Sequence, residues 1–217
     1  MADITPAQAW RDLRDGNDRF VSGTPAHPSQ GIEDRTRLTQ GQHPKAILFG
    51  CSDSRVAAEI IFDQGLGDLF VIRTAGQAID SAVLGSIDFA VAVLGVPLIA
   101  VLGHDSCGAV GATIKALDTN ELPGGHIRDV VEKVTPSILL GRSEGLTETA
   151  DFEAKHVSET AARLLERSSI VSDGVESGKV GIVGLTYSLA EGKAYLRQAI
   201  GAVDDAPDEA HAVAASS

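Results

Sequence analysis

The sequence predicts an α/β fold in which helices flank a central, mostly parallel β-sheet. Apolar segments at residues 45–50, 68–73 and 97–103 have the length and composition of strands that are buried on both faces. Segments in which apolar residues recur at helical spacing alternate with these strands. Strands and helices that alternate in this way form parallel sheets with right-handed crossovers.

The first predicted element is an N-terminal helix. Thr5 and Pro6 are typical of an N-cap followed by the first helical residue, and we expect the helix to extend to about residue 21. One face of this helix carries an apolar stripe, which must pack against something. The stripe consists of Trp10, Leu13, Phe20 and Val21. A polar loop and a helical turn around residues 32–40 follow.

The remaining elements continue the alternation. Helices are predicted at residues 56–67, 81–95, 107–117, 127–140 and 151–170. Asp80 is placed to cap the second of these helices, and we expect Pro136 to kink or split the fourth. Strands at residues 179–189 and 193–199 complete the sheet, which then has four parallel strands plus an edge strand.

We expect one α/β domain with an appendage at each end. Residues 1–40 would form a helical arm that makes an oligomer contact, and residues 41–203 would form the domain that carries the chemistry. Residues 204–217 are acidic and rich in small side chains, so we expect a flexible tail.

Composition excludes several classes of partner. The formal net charge of -12 disfavours nucleic acid and anionic membrane surfaces, because both would be repelled. The sequence contains no apolar run of about 18 residues that could span a membrane, and its first residues lack the apolar region of a signal peptide. Only two cysteines are present, and we expect a reducing, cytoplasmic location in which they bind a metal or act in catalysis.

Both cysteines come directly after predicted strands. Cys51 follows the first strand, and His104 and Cys107 follow the third. Binding sites of parallel α/β sheets form at the carboxyl ends of the strands, where the strand order reverses. If the first and third strands are neighbours, roughly 5 Å apart, the three side chains come together.

Two thiolates and an imidazole are ligands that zinc prefers, in tetrahedral geometry. Asp53 lies near enough in the sequence to be the fourth ligand, or else water takes that position. Arg55 could form a bidentate pair with Asp53 and keep it off the metal. A disulfide between the cysteines, a closed structural zinc site and two inert buried thiols are the alternatives. The other histidines have no ligand-like neighbours and are interpreted as surface or core residues: His27, His43, His126, His156 and His211.

Two motifs make the interpretation specific. "CSDSR" at residues 51–55 and "HDSCGA" at residues 104–109 resemble the β-class carbonic anhydrases, whose pattern is C-x-D-x-R followed by H-x-x-C. The similarity extends from the N-terminal helix through "GDLFVIRTAG" to "GIVGLTYSLAEG". The resemblance implies a zinc enzyme that interconverts carbon dioxide and bicarbonate, built as a homodimer or homotetramer. It also implies that the N-terminal helix wraps around a partner subunit, which would cover the apolar stripe.

The resemblance implies a role for each matching residue at the metal. Cys51, His104 and Cys107 would be the zinc ligands, and Asp53 with Arg55 would be the catalytic dyad. Asp53 has two possible partners, Arg55 and the metal. We therefore hypothesise that Asp53 binds zinc in a closed state that low pH favours.

The resemblance also implies substrate contacts. Gln42 matches a glutamine that hydrogen-bonds the substrate, Phe70 matches an aromatic wall of the carbon dioxide pocket, and Phe89 stands where many members have tyrosine. Gly108 fits a close-packed turn behind the second cysteine.

The motifs are compatible with more than one activity, and they do not decide whether an inhibitory site is present. Some relatives hydrolyse a carbon dioxide analogue, carbonyl sulfide or carbon disulfide, with the same metal and dyad residues, and a non-catalytic zinc-binding or bicarbonate-sensing module is a further alternative. Some members of the family have an inhibitory bicarbonate pocket. Arg73 and Tyr187 match two of its residues, whereas Leu48 replaces a tryptophan.

Overall fold

A five-stranded sheet forms the centre of the protein, and the computed structural model describes residues 4–208. The strands are β1 (Ala46–Cys51), β2 (Leu69–Thr74), β3 (Leu98–His104), β4 (Gly181–Tyr187) and β5 (Ala194–Gly201). Their order is β2-β1-β3-β4-β5, in which the first four are parallel and β5 is antiparallel to β4. The predicted fold, with four parallel strands plus an edge strand, is confirmed.

Helices cover both faces of the sheet. They are α1 (Pro6–Val21), α2 (Ile32–Leu38), α3 (Ala58–Ile61), α4 (Ser81–Ala92), α5 (Gly108–Thr119), α6 (Ile127–Ser143), α7 (Thr149–Arg167) and α8 (Ser169–Glu176), with a 3₁₀ turn at Ala75–Gln77. As predicted, Thr5 caps α1 and Asp80 caps α4. Within residues 4–208, no helix combines the length and the apolar character needed to cross a membrane.

Two helix predictions need correction. Pro136 does not split α6, which continues through it, because the proline lies on the exposed side of the helix, where water can bond the carbonyl group that loses its N–H partner; a kink at Pro136 stays a prediction. The predicted helix at residues 151–170 is two helices, because the backbone of Ser168 is extended and its side chain accepts a hydrogen bond from the backbone N–H of Val171.

The apolar stripe of α1 is covered by the chain itself. Trp10 and Leu13 are 3% and 0% exposed and belong to the core on one face of the sheet. The indole Nε1 of Trp10 donates a hydrogen bond to Asp205 Oδ2 at 2.6 Å. Val21, at the end of the stripe, is 46% exposed. The burial of Trp10 and Leu13 therefore requires no partner subunit, and an oligomer contact by residues 1–40 stays a prediction.

The first residues of the acidic tail make specific contacts. Asp205 also pairs with Arg14 at 2.5 Å, and Asp208 Oδ2 accepts a hydrogen bond from the backbone N–H of Leu196 at 2.7 Å. These contacts fasten residues 204–208 to α1 and β5. The rest of the predicted tail, with His211, lies outside the described residues.

The packing of α1 predicts a stability difference along one helix. Replacing Leu13 with alanine should lower the free energy of unfolding by ~2–5 kcal/mol, because it leaves a cavity in a fully buried site. The matched variant Val21→Ala should lower it by less than ~0.5 kcal/mol, because Val21 is largely exposed. Urea denaturation of the two variants measures the difference. Equal losses would contradict the packing of α1 on its own chain.

Candidate active site

The cysteines and a histidine meet where the strand order reverses. Cys51 ends β1 and His104 ends β3, and these strands are direct neighbours, as predicted. The ligand atoms of Cys51, His104 and Cys107 all lie within 4.8 Å of one another. Each of the three residues is at most 6% exposed. The chain thus forms a small buried cluster of two sulfur atoms and one nitrogen atom.

A tight turn returns Cys107 to the side of His104. Ser106, between β3 and α5, has a φ of 54°, in the left-handed region that residues other than glycine rarely adopt. Cys107 is then the N-cap residue of α5. The strained turn places the sulfur at a helix N-terminus, where backbone N–H groups favour a thiolate.

One ring nitrogen of His104 points into the cluster without a partner. The Nδ1 atom lies 2.7 Å from the carbonyl oxygen of Asp105, which can only accept, so Nδ1 carries the proton. The Nε2 lone pair is buried, and no hydrogen-bond partner for it exists among residues 4–208. A buried unpaired nitrogen is costly unless something binds it. The donor set of two sulfurs and one imidazole fits zinc.

The two thiols differ in their acidity when no metal is bound. A hydrogen bond from the thiol of Cys107 holds the pKa of Cys51 well below its usual range. The same hydrogen bond, together with burial, raises the pKa of Cys107. One sulfur of the pair thus acts as donor and the other as acceptor of the hydrogen bond between them. A dication that binds both sulfurs must displace the remaining proton.

Asp53 and Arg55 form a paired group at the mouth of the cluster. The guanidinium of Arg55 donates from Nε to Asp53 Oδ1 at 2.9 Å and from Nη2 to Oδ2 at 2.7 Å. This bidentate hydrogen bond lowers the pKa of Asp53 far below its usual value. Asp53 Oδ2 also lies 3.9 Å from Nε2 of His104. The carboxylate is thus oriented by Arg55 and still close to the metal-binding atoms.

Two residues that support the cluster were not assigned this role from the sequence. Arg73, on β2, donates to the carbonyl oxygens of Cys51 at 2.8 Å and Asp53 at 2.5 Å, which fixes the loop between them. Glu153, on α7, is 5% exposed and accepts a hydrogen bond from the backbone N–H of Cys107 at 2.8 Å. Burial raises the pKa of Glu153 to about 7. The sequence signal that could have identified Glu153 is a carboxylate on the apolar face of the helix predicted at residues 151–170.

The three predicted substrate contacts lie away from the cluster of the same chain. Gln42 is exposed in the loop before β1, whereas Cys51 ends that strand. Phe70 pairs with Ile47, which is four residues, or roughly 13 Å, from Cys51 along the strand. The ring centroids of Phe89 and Phe70 are 6.4 Å apart. Phe89 is 46% exposed. One chain therefore does not bring these residues to its own metal-binding atoms.

Gly108 has a different environment from the one expected. The residue is exposed, and a Cβ atom added to it would meet no atom within 4 Å. The expected close-packed turn is wrong, because the chain leaves open space beside Cys107.

The residues that match an inhibitory bicarbonate pocket are kept apart. Arg73 lies on β2 and Tyr187 on β4, with two strands between them, or roughly 14 Å. Leu48 is 1% exposed and belongs to the core. The guanidinium of Arg73 is instead used on the loop that carries Asp53.

Comparisons with known proteins agree with the motifs. A family model described as carbonic anhydrase matches residues 46–194. A carbonic anhydrase of Mycolicibacterium smegmatis is 60% identical over 205 residues, which cover 94% of this chain and 100% of that protein. The solved β-carbonic anhydrase CcaA has a TM-score of 0.69 at 23% identity, over 88% of this chain and 91% of that one. A tetrameric β-carbonic anhydrase from Sordaria macrospora has a TM-score of 0.68 at 20% identity, over 86% and 95% of the two chains.

Proposed function

Since this chain is an enzyme of the β-class carbonic anhydrase family, we propose that it catalyses the zinc-dependent, reversible hydration of carbon dioxide to bicarbonate and a proton. The observation that carries the proposal is the unpaired, buried Nε2 atom of His104 beside two thiols and a paired carboxylate. A reducing compartment such as the cytoplasm would keep both thiols free to bind the metal.

The residues that would hold the zinc are Cys51, His104 and Cys107. When bound, zinc would supply an activated water molecule as the nucleophile at neutral pH. The two thiolates would neutralise the charge of the dication, and the carbonyl of Asp105 would fix the ring of His104 in the tautomer that leaves Nε2 free.

Asp53 would orient the nucleophile. A carboxylate can only accept hydrogen bonds, so an Asp53 oxygen would accept a hydrogen bond from the O–H of the attacking group and direct the lone pair of that group towards carbon dioxide. Arg55 would keep the carboxylate in this position through the bidentate hydrogen bond. Because Arg55 lowers the pKa of Asp53, the acceptor stays ionised throughout the working pH range.

We further propose that a second copy of the chain completes the site. Gln42, Phe70 and Phe89 lie near the amino end of β1, and β2 forms the edge of the sheet there. Phe89 on α4 and Val93, the residue directly after this helix, are 46% and 64% exposed. In a symmetric dimer each copy presents the same surface to the other. The residues that are too far from the chain's own cluster would then contact substrate in the site of the partner.

Mixing two inactive variants tests this arrangement. Cys107→Ser removes a metal ligand, and Phe70→Ala removes a wall of the carbon dioxide pocket. In a mixed dimer one site would have its metal ligands from the Phe70→Ala chain and its pocket from the Cys107→Ser chain, so both halves would be intact. Co-refolded variants should therefore recover activity that neither has alone. If the mixture stays inactive although mixed dimers form, the pocket belongs to a single chain.

The proposed reaction is tested by stopped-flow measurements on zinc-loaded protein with a pH indicator. Carbon dioxide should be hydrated with a kcat/KM far above that for carbonyl sulfide or carbon disulfide, and Asp53→Asn should lose most of the rate. Preferred turnover of either analogue would contradict the proposed substrate. No turnover of any of the three would favour a non-catalytic zinc-binding module.

A further inference from the structure

The 3₁₀ turn after β2 contacts the metal-binding cluster through its backbone. The N–H of Gly76 donates a hydrogen bond to Cys51 Sγ at 3.4 Å. Gly76 has a φ of 59°, and an added Cβ atom would lie 2.5 Å from Cβ of Ala109 on α5. Only glycine fits both the left-handed backbone and the close approach to the helix that follows Cys107. Glycine, however, leaves the turn conformationally free unless another group holds it.

That other group is a buried histidine. His156 on α7 is 2% exposed, and its Nε2 atom lies 2.7 Å from the carbonyl oxygen of Gly76. A carbonyl oxygen can only accept, so Nε2 carries a proton and donates it. Burial lowers the pKa of His156, which keeps the ring neutral and makes Nδ1 an acceptor.

The acceptor nitrogen of His156, Nδ1, also has a hydrogen-bond partner, and this partner fixes the direction of the hydrogen bonds along the network. Ser137 Oγ on α6 lies 3.0 Å from Nδ1 of His156, and the serine is fully buried. Arg163 Nη2 donates to the same Oγ at 3.4 Å, so the hydroxyl proton of Ser137 is directed to the histidine. The chain of donors runs from Arg163 through Ser137 and His156 to Gly76, and its last N–H donates to Cys51.

We propose that His156 is a positioning residue of the metal centre, which holds the Gly76 turn so that its N–H stays directed at the sulfur of Cys51. This inference rests on the proposed zinc site. A hydrogen bond to a ligating thiolate stabilises its charge and fixes its orientation, and groups behind the ligands commonly change metal affinity. An apolar side chain could fill the same volume but would leave the carbonyl of Gly76 buried and unpaired.

Three variants separate positioning from packing. His156→Leu fills the site but removes the donor, and His156→Gln places an amide N–H near the position of Nε2. Leu164→Ala is the matched control, because Leu164 is fully buried on the same helix and belongs to the core on one face of the sheet. For each protein we would measure the zinc affinity by competition with a chelating dye. In the metal-free protein we would measure the hydrogen-exchange rate of the Gly76 amide.

The proposal predicts that His156→Leu weakens zinc binding by ~10–100-fold and accelerates exchange of the Gly76 amide. His156→Gln should restore most of both properties, whereas Leu164→Ala should lower the melting temperature and leave both near the wild-type values. Unchanged affinity and exchange in His156→Leu, or equal losses in Leu164→Ala, would overturn the proposal. If the wild type itself failed to bind zinc, the proposed metal site would fall. The exchange rates would then decide whether His156 holds the turn.

Discussion

Replacing Cys107 with serine should remove most of the zinc, which the wild type should hold at about one ion per chain. Serine keeps the size of the side chain, but its hydroxyl does not ionise near neutral pH and is a poor zinc ligand. A residue behind a ligand typically changes metal affinity by ~10–100-fold, so loss of a ligand should cost more. Elemental analysis after gel filtration measures the zinc content, and carbon dioxide hydration should disappear with it.

A matched variant separates the loss of a ligand from general damage. His126 is an exposed histidine whose ring contacts only Asp129, at 3.0 Å, in the described part of the chain. His126→Ala should keep both zinc and activity. Retention of zinc by Cys107→Ser, with its circular dichroism unchanged, would mean that the metal is bound elsewhere.

Replacing Arg55 with alanine should lower kcat/KM by at least ~100-fold, the size of effect expected when a catalytic group is misplaced by about 1 Å. The variant loses both bonds from the guanidinium to Asp53, at 2.9 and 2.7 Å. Arg55→Lys keeps the charge but cannot form the bidentate pair, so we expect an intermediate rate. Arg128→Ala is the surface control, because Arg128 pairs with Glu132 on the solvent-exposed side of α6. Equal rates for Arg55→Ala and Arg128→Ala would remove the dyad from the mechanism.

The same variant tests the hypothesis of a closed state. In the wild type the pKa of Asp53 is lowered by Arg55, so the carboxylate stays ionised as the pH falls towards mildly acidic values. Activity lost there cannot come from protonation of Asp53. We expect activity to rise on the alkaline side of neutrality, with Asp53 moving onto the metal at low pH. In Arg55→Ala nothing restrains the carboxylate, and crystal structures should show it on zinc at both pH values. Asp53 off the metal in that variant at low pH would refute the switch.

Much of the fold and the metal cluster could be predicted because both depend on local pattern. Buried parallel strands read as short apolar runs, and the residues that follow each strand share one edge of the sheet. Because β1 and β3 are neighbours in the sheet, Cys51 and His104 lie side by side at this edge. The break at Ser168 was missed, although its side chain caps α8, because apolar residues continue at helical spacing on both sides of it.

Long-range placement could not be predicted from pattern. The stripe of α1 showed that Trp10 and Leu13 must be covered, but periodicity does not say which chain covers them. Nor does sequence distance show that Phe70 lies roughly 13 Å from Cys51 along the sheet. His156 lies 80 residues from Gly76 in the sequence, so only the packed structure shows that its ring reaches this turn.

Zinc-edge X-ray absorption of the purified enzyme tests the central claim most directly. Cys51, His104 and Cys107 should give two sulfur neighbours at ~2.3 Å and nitrogen or oxygen neighbours at ~2.0–2.1 Å. Cys107→Ser, if reloaded with zinc, should lose one sulfur neighbour. A spectrum with no sulfur in the first shell, or with four sulfurs, would contradict a zinc centre built from these three side chains.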